Sequence, residues 1–366
     1  MLKPHRARTE AFAALLQQHR LSDLLHNAPN VEMDILQSGD LTVPISICHD
    51  DAPQTWVTSP LAMYADYTQE ECRRHLPAYA AHPINAAVEL LKRYLRQRQF
   101  ARAVTLNNWL ISTNLYPTLI PKAACQLMQQ ARERHPQHAL WWRSLNPIQH
   151  RDWLQLLQQQ GCLLIPGRRI FILSDPAAAR QRHRDWQHDA RLQRNTRLHY
   201  CSDADIQRDQ PYERVRDLYN LLYLAKYSHL NPQYSDTWVR ALHQHGLLHM
   251  QGYADDSGEL LGVAGVVANE STLTTPIFGF DTSVAQKVGL YRLHNGLASD
   301  YAIAQGLSIN MSAGAGQFKQ HRGAVACMEY SAVYARHLPR AQQRALRIVQ
   351  WISQYVAAPL MQRLDM

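Results

Sequence analysis

Two polar segments in the last quarter of the chain hold residue types that could do chemistry. In residues 286–292, Gln-Lys-Val-Gly-Leu-Tyr-Arg, a glycine stands directly before a predicted helix. Glycine lets backbone N–H groups approach a phosphate, and the positive end of the helix dipole adds attraction. The segment predicts a phosphate-binding turn at Gly289. The alternative is an ordinary loop in which Gly289 only turns the chain.

The second segment, residues 312–323, reads Ser-Ala-Gly-Ala-Gly-Gln-Phe-Lys-Gln-His-Arg-Gly. It lacks the Gly-Lys-Ser/Thr order of a P-loop, which excludes that motif. Lys319 and Arg322 could stabilise an oxyanion or contact phosphate, because a fixed cation stabilises developing negative charge. A surface loop of ion pairs is the alternative. Lysine is rare in this chain, and two of its six lysines, Lys287 and Lys319, fall in these segments.

Proton transfer would need a base near these segments. Asp281, at the end of a predicted strand, and Glu329, on a later strand, are the candidates. Each could instead cap a turn or form a structural ion pair. His294 and His321 are weaker candidates, because 19 histidines are spread along the chain. There is no Gly-x-Ser-x-Gly motif, and Cys327 is interpreted as a small core residue.

A dense group of amides follows a buried-looking strand at residues 101–106. Binding residues often follow strands in α/β folds. The group could line an acceptor pocket, or it could tie down a connecting loop through Asx turns. The residues are Asn107, Asn108, Trp109, Asn114 and Tyr116.

The length of 366 residues predicts two domains, at residues 1–190 and 195–366. Hydrophobic content of 46% can build sizeable cores. The first residues lack an apolar segment typical of export signals, and the six cysteines are scattered. These features predict a cytoplasmic protein with reduced thiols and no metal site. The net charge of +8 favours anionic partners such as CoA, a phosphopantetheine carrier, tRNA or a membrane surface.

Twelve of the 15 glycines follow residue 245, which separates a helix-rich first part from a second part with strands and turns. Strands that alternate with helices predict a mixed α/β layer in the first part. Its predicted helices are residues 9–25, 83–98, 122–134 and 147–160, and its predicted hairpins are 31–36 with 41–48 and 162–166 with 169–173 around Gly167.

A charged helix at residues 175–194 is predicted to connect the two parts. The second part begins with a strand at 197–201 and a helix at 212–227. Its further predicted elements are a three-stranded meander at 249–254, 260–268 and 272–280, a helix at 290–305, a strand at 307–312, a loop at 313–323 and a strand at 327–334. The stretch 346–364 is amphipathic and predicted to pack on a core, with membrane-surface contact or dimerisation as alternatives.

The order helix, three antiparallel strands, helix, strand, loop, strand over residues 195–340 resembles the GNAT acyltransferase fold. More narrowly, the segments at 286–292 and 312–323 resemble the branch with Fem-type aminoacyl transferases and BioF2-like acetyltransferase domains. The resemblance implies an α+β fold with a mixed-sheet GNAT-like C-terminal domain. It also implies that the N-terminal α/β domain is a degenerate GNAT-like, substrate-binding module.

The resemblance also implies residue roles. Residues 286–292 occupy the place of the GNAT pyrophosphate loop, although Tyr291 stands where that loop has a second small residue. The predicted donor-binding residues are Gln286, Lys287, Gly289, Leu290, Tyr291 and Arg292. Phe318, Lys319 and Gly323 match the Phe-Lys-x-x-Phe-Gly element of Fem-like enzymes, in which the lysine sits near acyl or phosphate groups. Arg322 stands in place of the second aromatic.

These features predict an N-acyltransferase that moves an acyl group from acyl-CoA or an acyl carrier protein to an amine by direct attack. A Fem-like aminoacyl transfer from charged tRNA is the second hypothesis, although the long helical arm of many Fem proteins is not evident. A non-catalytic GNAT-like binding protein is the third.

Overall fold

A computed structural model of the chain describes residues 3–364. The ends of the two predicted domains, residues 1–2 and 365–366, lie outside it. The helices are α1 (His5–Gln18), α2 (Leu21–Leu24), α3 (Tyr67–His75), α4 (Ala78–Gln97), α5 (Pro121–Arg134), α6 (Arg151–Gln159), α7 (Pro176–Arg182), α8 (Arg184–Asn195), α9 (Asp203–Asp209), α10 (Tyr212–Asn220), α11 (Asp236–Gln244), α12 (Leu290–Gln305), α13 (Gly316–Gln320), α14 (Arg340–Ile352) and α15 (Ala358–Leu364).

The strands are β1 (Val31–Ser38), β2 (Leu41–Cys48), β3 (Ala103–Leu106), β4 (Ala139–Leu145), β5 (Leu163–Leu173), β6 (His199–Cys201), β7 (His249–Ala254), β8 (Leu260–Ala268), β9 (Thr272–Phe280), β10 (Ser308–Asn310) and β11 (Val325–Tyr334). Wider π turns occur at Ala62–Asp66, Leu221–Tyr227 and Ser353–Ala357, and a 3₁₀ turn occurs at Gln286–Val288. Mixed strands and helices confirm the predicted α/β class.

The chain divides into two compact units, each built from separate segments. The N-half unit consists of Asn27–Arg169, Leu230–Pro232 and residues 327–364. The C-half unit consists of residues 3–26, Ile170–His229 and Gln233–Ala326. The predicted domain division at residues 190–195 stays a prediction.

Both units share one pattern of strand pairing. In the N-half unit, β1, β2 and β3 are antiparallel neighbours, β3 is parallel to β4, and β11 closes antiparallel to β4. In the C-half unit, β7, β8 and β9 are antiparallel neighbours, β9 is parallel to β10, and the end of β5 closes antiparallel to β10. One helix, α5 or α12, links the parallel pair in each unit. Each unit therefore repeats the same order of strand pairing around one parallel pair, and the predicted nature of the N-terminal domain stays a prediction.

The sequence predicts the elements of the C-half unit best. The meander and α12 have the predicted bounds, because alternating apolar residues and turn signals define them. The predicted hairpin at Gly167 is wrong, since β5 runs unbroken from Leu163 to Leu173. An added Cβ at Gly167 would lie 2.7 Å from Met63 Cε, so this glycine serves close packing instead of a turn.

Each unit buries its own aromatic and aliphatic core. In β4 of the N-half unit, Trp141 and Trp142 point to opposite faces and enter two different clusters. In the C-half unit, Leu293 and Leu297 of α12 pack on Phe278 of β9. Helix α12 is therefore fixed against the strand that it follows.

Helix α10 packs directly on the backbone of β9. A Cβ added at Gly279 would lie 2.3 Å from the backbone carbon and oxygen of Leu218 and 2.5 Å from the backbone nitrogen of Tyr219. Backbone atoms cannot give way as flexible side chains do, so glycine is required here. This contact holds the Leu221–Tyr227 turn next to the meander.

We expect Gly279→Ala to destabilise the protein by about 1–3 kcal/mol or more, because the methyl group overpacks a backbone contact. The control is Gly258→Ala in an exposed turn, where φ is +84° and nothing lies within 4 Å. Its expected cost is about 1 kcal/mol, from the left-handed conformation alone. Urea unfolding measures the free energy of unfolding of both variants. A loss for Gly279→Ala that is equal to or smaller than the loss for Gly258→Ala would contradict the close packing of α10 on β9.

Candidate active site

The parallel strands β9 and β10 share a very short stretch of pairing. Ser308 is registered with Thr272 and Ile309 with Leu273, and β9 then continues to Phe280. In the described part of the chain, no later residue of β9 is registered with β10. The edge of β9 from residue 274 to 280 is therefore open on the side where β10 would lie.

Strand β10 leaves β9 because it follows the other neighbour. Ile309 and Asn310 pair with β5, and the chain beyond them continues in that direction. The N–H of Met311 donates to the carbonyl of Phe171 at 2.9 Å, and the N–H of Phe171 donates to the carbonyl of Ser312 at 3.2 Å. The two parallel strands thus separate at Asn310.

A bulge bends β9 at the same level. Gly265 of β8 pairs with Ile277 and Val267 pairs with Thr274, so one residue of β8 faces two of β9. One of the two is Pro276, which has no N–H to donate and is tolerated at bulges. A bulge adds local bend and twist to its strand. The open edge of β9 begins at this bend.

The chain that follows β9 forms the predicted phosphate-binding turn. Gly289 has φ +77°, and its N–H donates to the carbonyl of Gln286 at 3.0 Å. The positive φ favours glycine at this position, and a Cβ there would also lie 2.6 Å from Leu192 Cδ2, so that side chain would have to shift. The side chains of Gln286 and Lys287 are exposed at this turn, and the N–H groups of the first turn of α12 follow it.

Tyr291, the departure from the pyrophosphate-loop pattern, packs inward. Its ring lies edge-on to Phe278 at 5.6 Å and to Phe318 at 4.7 Å between ring centroids. Burial raises the pKa of its hydroxyl to about 12. The ring therefore joins α12, β9 and α13 as a packing residue, and donor binding through Tyr291 and the buried Leu290 stays a prediction.

Lys319 holds the loop that follows β10. Its Nζ donates to the carbonyl oxygens of Met311 at 2.6 Å, Ser312 at 3.2 Å and Ala313 at 2.7 Å. The side chain is buried, and a buried ammonium requires such acceptors. The loop also contains the left-handed residues Ser312 and Ala315, at φ +57° and +51°. Lys319 thus shapes the loop, and direct contact with a substrate stays a prediction.

Arg322 belongs to a buried charge cluster instead of a free surface loop. Its Nε donates to Asp189 Oδ2 at 2.7 Å and its Nη2 to Asp189 Oδ1 at 3.1 Å. Arg292 of α12 donates from Nε to the same Asp189 Oδ1 at 2.6 Å. Asp189, which is 1% exposed, therefore joins the two predicted loop segments through α8.

The sequence-based prediction misses Asp189 because it treats residues 175–194 as a charged connector. In the structure this stretch is two helices, α7 and α8. Trp186 is fully buried, and its Nε1 donates to the carbonyl of Arg322 at 2.9 Å. The signal in the sequence was the tryptophan, since an aspartate three positions later lies on the same helix face.

Asp281 caps the turn after β9. It accepts hydrogen bonds from the hydroxyl of Ser283 at 2.6 Å and from its N–H at 2.9 Å, and Arg214 Nη2 donates to it at 3.0 Å. The bonds from Ser283 and Arg214 lower the pKa of this carboxyl against the opposing effect of burial. A base at Asp281 stays a prediction, and the structure shows the turn cap that was its alternative.

Glu329 lies in the N-half unit and forms an ion pair there. Its carboxylate accepts from Nε and Nη2 of Arg168 at 3.0 and 2.8 Å. Arg168 also donates to the carbonyl of Ser112 in the amide-rich loop. The guanidinium lies 4.7 Å from the ring centroid of Trp56. Glu329 therefore forms the structural ion pair that was its predicted alternative role, and proton abstraction by Glu329 stays a prediction.

The amide-rich loop is held together by its own side chains. Asn107 Nδ2 donates to the carbonyl of Leu115 at 3.1 Å, and Asn107 Oδ1 accepts from Trp109 Nε1 at 2.8 Å. Asn108 donates to Ser46 Oγ and to the carbonyl of Val57. The remaining members also bond to protein atoms and are buried, namely Asn114 and Tyr116. The structure shows the loop-anchoring role, and contact with an acceptor stays a prediction.

The remaining candidates are His294, His321 and Cys327, and proton transfer by either histidine stays a prediction. Burial lowers the pKa of His294 to about 4, and His321 is exposed, 3.9 Å from Asp185. Burial raises the pKa of the Cys327 thiol to about 12. The pKa values of the other five thiols are raised by burial as well. None of these thiols is activated as a thiolate.

Among residues 3–364, no three His, Cys, Asp or Glu side chains form a group that could hold a metal ion. In the same range, every helix is too short or too polar to cross a bilayer.

We expect Asp189→Asn to destabilise the protein by about 3–5 kcal/mol, because it leaves the buried Arg322 without its carboxylate. The control is Asp185→Asn on the same helix, whose carboxylate is 39% exposed and 3.4 Å from Arg322. This change should cost less than about 1 kcal/mol. Denaturant unfolding measures the loss in free energy of unfolding for both variants. Equal losses would contradict the role of Asp189 as the main partner of Arg322.

Comparisons with known proteins give similarities to solved structures. No family model matches the sequence, and no curated protein matches it either. The L-PGS of Bacillus licheniformis is 10% identical with a TM-score of 0.49, covering 96% of this chain and 98% of the other. FemX is 10% identical with a TM-score of 0.48, covering 68% of this chain and 83% of its own.

A tandem GNAT protein from the clavulanic acid biosynthesis pathway is also similar. It is 10% identical with a TM-score of 0.39, covering 88% of this chain and 87% of its own. One of these neighbours is named FemX and another is named a tandem GNAT protein, and each likeness is at 10% sequence identity.

Proposed function

We propose that the protein is a GNAT-type acyltransferase that moves an acyl group from a thioester donor to an amine. The open edge of β9 beyond Leu273 is the observation that carries this proposal. The arm of phosphopantetheine, which is common to CoA and acyl carrier proteins, contains two amide groups. An extended chain with amides can pair with an open strand edge as another strand would.

The donor's phosphate would lie at the turn that follows β9. Backbone N–H groups at the start of α12 and the exposed ammonium of Lys287 supply the attraction that a phosphate requires. This placement leaves the thioester along β9. The inward packing of Tyr291 supports it, because the ring contacts Phe278 and Phe318 and is held away from the exposed side of the turn.

The reaction proposed is direct aminolysis. The amine nitrogen attacks the thioester carbon, the C–S bond breaks, and the proton lost by nitrogen ends on the departing thiol. N–H groups of the open edge of β9 can donate to the tetrahedral oxyanion, which would stabilise it by about 3 kcal/mol per donor. The raised thiol pKa values, such as about 12 for Cys327, support direct attack over an acyl-cysteine intermediate.

Lys319 acts in this proposal as a positioning residue. Its three carbonyl contacts fix the loop after β10, and in this proposal that loop borders the open edge of β9. Asn107, Asn108, Trp109, Asn114 and Tyr116 are proposed to act on the acceptor amine only indirectly, by fixing the loop that they build.

Aminoacyl transfer from charged tRNA is the second candidate. The net charge of +8 favours it, because phosphate contacts dominate the affinity of proteins for nucleic acids. An aminoacyl ester has no pantetheine arm, so this candidate leaves the open edge of β9 without an occupant. We therefore favour the thioester donor.

Binding of acetyl-CoA, a long-chain acyl-CoA and a holo-acyl carrier protein, measured by calorimetry and thermal shift, tests the donor. We expect one of them to stabilise the protein, and Lys287→Glu to weaken its affinity by about tenfold through lost phosphate attraction. Lys122→Glu makes the same charge change at an exposed position on α5 and should leave affinity unchanged.

Acyl transfer to a panel of amines then separates enzyme from binding protein. Donor binding without transfer to any amine would favour the non-catalytic hypothesis. Lack of binding by all three donors, together with RNase-sensitive transfer of an amino acid in a lysate, would replace the thioester with aminoacyl-tRNA.

A further inference from the structure

An exposed apolar stripe runs along the last helical segment of the N-half unit. Ile348 and Trp351 on α14, and Tyr355 and Val356 on the π turn after it, are 39%, 58%, 61% and 51% exposed. The spacing of three and four residues puts Ile348, Trp351 and Tyr355 on one face. The predicted core packing of residues 346–364 therefore does not include these exposed side chains.

The opposite face of the same helix makes the contacts that hold it to the fold. Ala345, Leu346 and Val349 are buried in the core of the N-half unit. Gln350 Nε2 donates to the carbonyl of Leu164 at 3.0 Å. The helix is thus anchored without its exposed aromatics, which contact each other at 5.8 Å between ring centroids. A contiguous exposed apolar patch of this kind typically marks an interaction surface.

The segment that carries the stripe has arginines and no carboxylate among its described residues. Arg340, Arg344 and Arg347 precede its exposed aromatics and Arg363 follows them, and all four are exposed. Residues 331–364 contain no aspartate or glutamate, and Asp365 follows them. The arginines on this segment favour an anionic partner.

We infer that this face, formed by α14, Ser353–Ala357 and α15, docks on the surface of an anionic phospholipid bilayer. Amphipathic helices of this kind lie in the interfacial plane with apolar residues at the boundary of the acyl chains. Trp351 and Tyr355 suit the headgroup level, where aromatic rings with a polar atom are favoured. The arginines can extend to the lipid phosphates.

Two other occupants fit the same face less well. A second copy of the chain would bring two arginine-rich faces together, and no carboxylate in residues 331–364 offsets that repulsion. RNA would contact the arginines and stack on the aromatic rings, but it would leave the aliphatic Ile348 and Val356 without an apolar partner. A lipid surface satisfies the aromatic, aliphatic and cationic groups together.

Vesicle sedimentation of the full chain tests the docking. The vesicles are phosphatidylcholine alone and phosphatidylcholine containing phosphatidylserine. We expect the wild-type protein to sediment with the phosphatidylserine vesicles and to remain in solution with the neutral ones. Affinity should fall at least about tenfold in the double variant Trp351→Ala with Tyr355→Ala, and also in Arg344→Gln with Arg347→Gln.

The control removes exposed apolar groups elsewhere in the same unit. Tyr79 and Leu90 of α4 are 83% and 67% exposed, and replacing both with alanine should leave vesicle binding unchanged. Equal loss in this control would show nonspecific adsorption and overturn the docking face. Failure of the wild-type protein to bind phosphatidylserine vesicles would overturn it as well.

Two further outcomes would assign the face to another occupant and so overturn the proposal. One is a dimer in light scattering that becomes a monomer in the Trp351/Tyr355 variant while vesicle binding is absent. The other is a tRNA mobility shift lost in that variant while vesicle binding is absent. None of these measurements requires an acyl donor or turnover, so their outcome is independent of the proposed acyl transfer.

Discussion

The early end of the pairing between β9 and β10 is the constraint on which the candidate site depends. A strand in the middle of a sheet normally has all its backbone groups paired. Strand β9 stays paired with β8 but loses its pairing with β10 after Leu273. The reason is that β10 stays registered with β5 and a bulge at Pro276 bends β9. An open edge in the middle of a fold offers N–H and C=O groups to an extended ligand without requiring any side chain to do so.

Charged residues predicted to act on a substrate make structural contacts in the segments that follow β9 and β10. Lys319 satisfies its ammonium with three carbonyl oxygens of the loop after β10. Asp189 connects Arg292, on the helix after β9, with Arg322, after the helix of Lys319. Both sides of the opening are thus fixed to α8. In the proposed acyl transfer, backbone dipoles fixed in this way would need no reorganisation during the reaction, which is where most transition-state stabilisation arises.

Local patterns in the sequence predict the C-half unit well, since the meander and α12 are defined by alternation and by turn residues. The same kind of local pattern leads to the candidate site, through Gly289 and Lys319. The roles of the charged side chains do not follow, because they depend on partners far away in sequence, such as Asp189 for Arg322 and Arg168 for Glu329. The hairpin predicted at Gly167 is wrong for the same reason. A Cβ there would lie close to Met63, which is distant in sequence, and glycine is found both at such close contacts and in turns.

Amide hydrogen exchange with and without the bound donor measures the central claim most directly. The account predicts that acetyl-CoA, or whichever thioester stabilises the protein, slows exchange in residues 274–280 of β9 and in the first turn of α12. Donor binding that leaves exchange in residues 274–280 unchanged while protecting another part of the chain would contradict the open strand edge as the donor site.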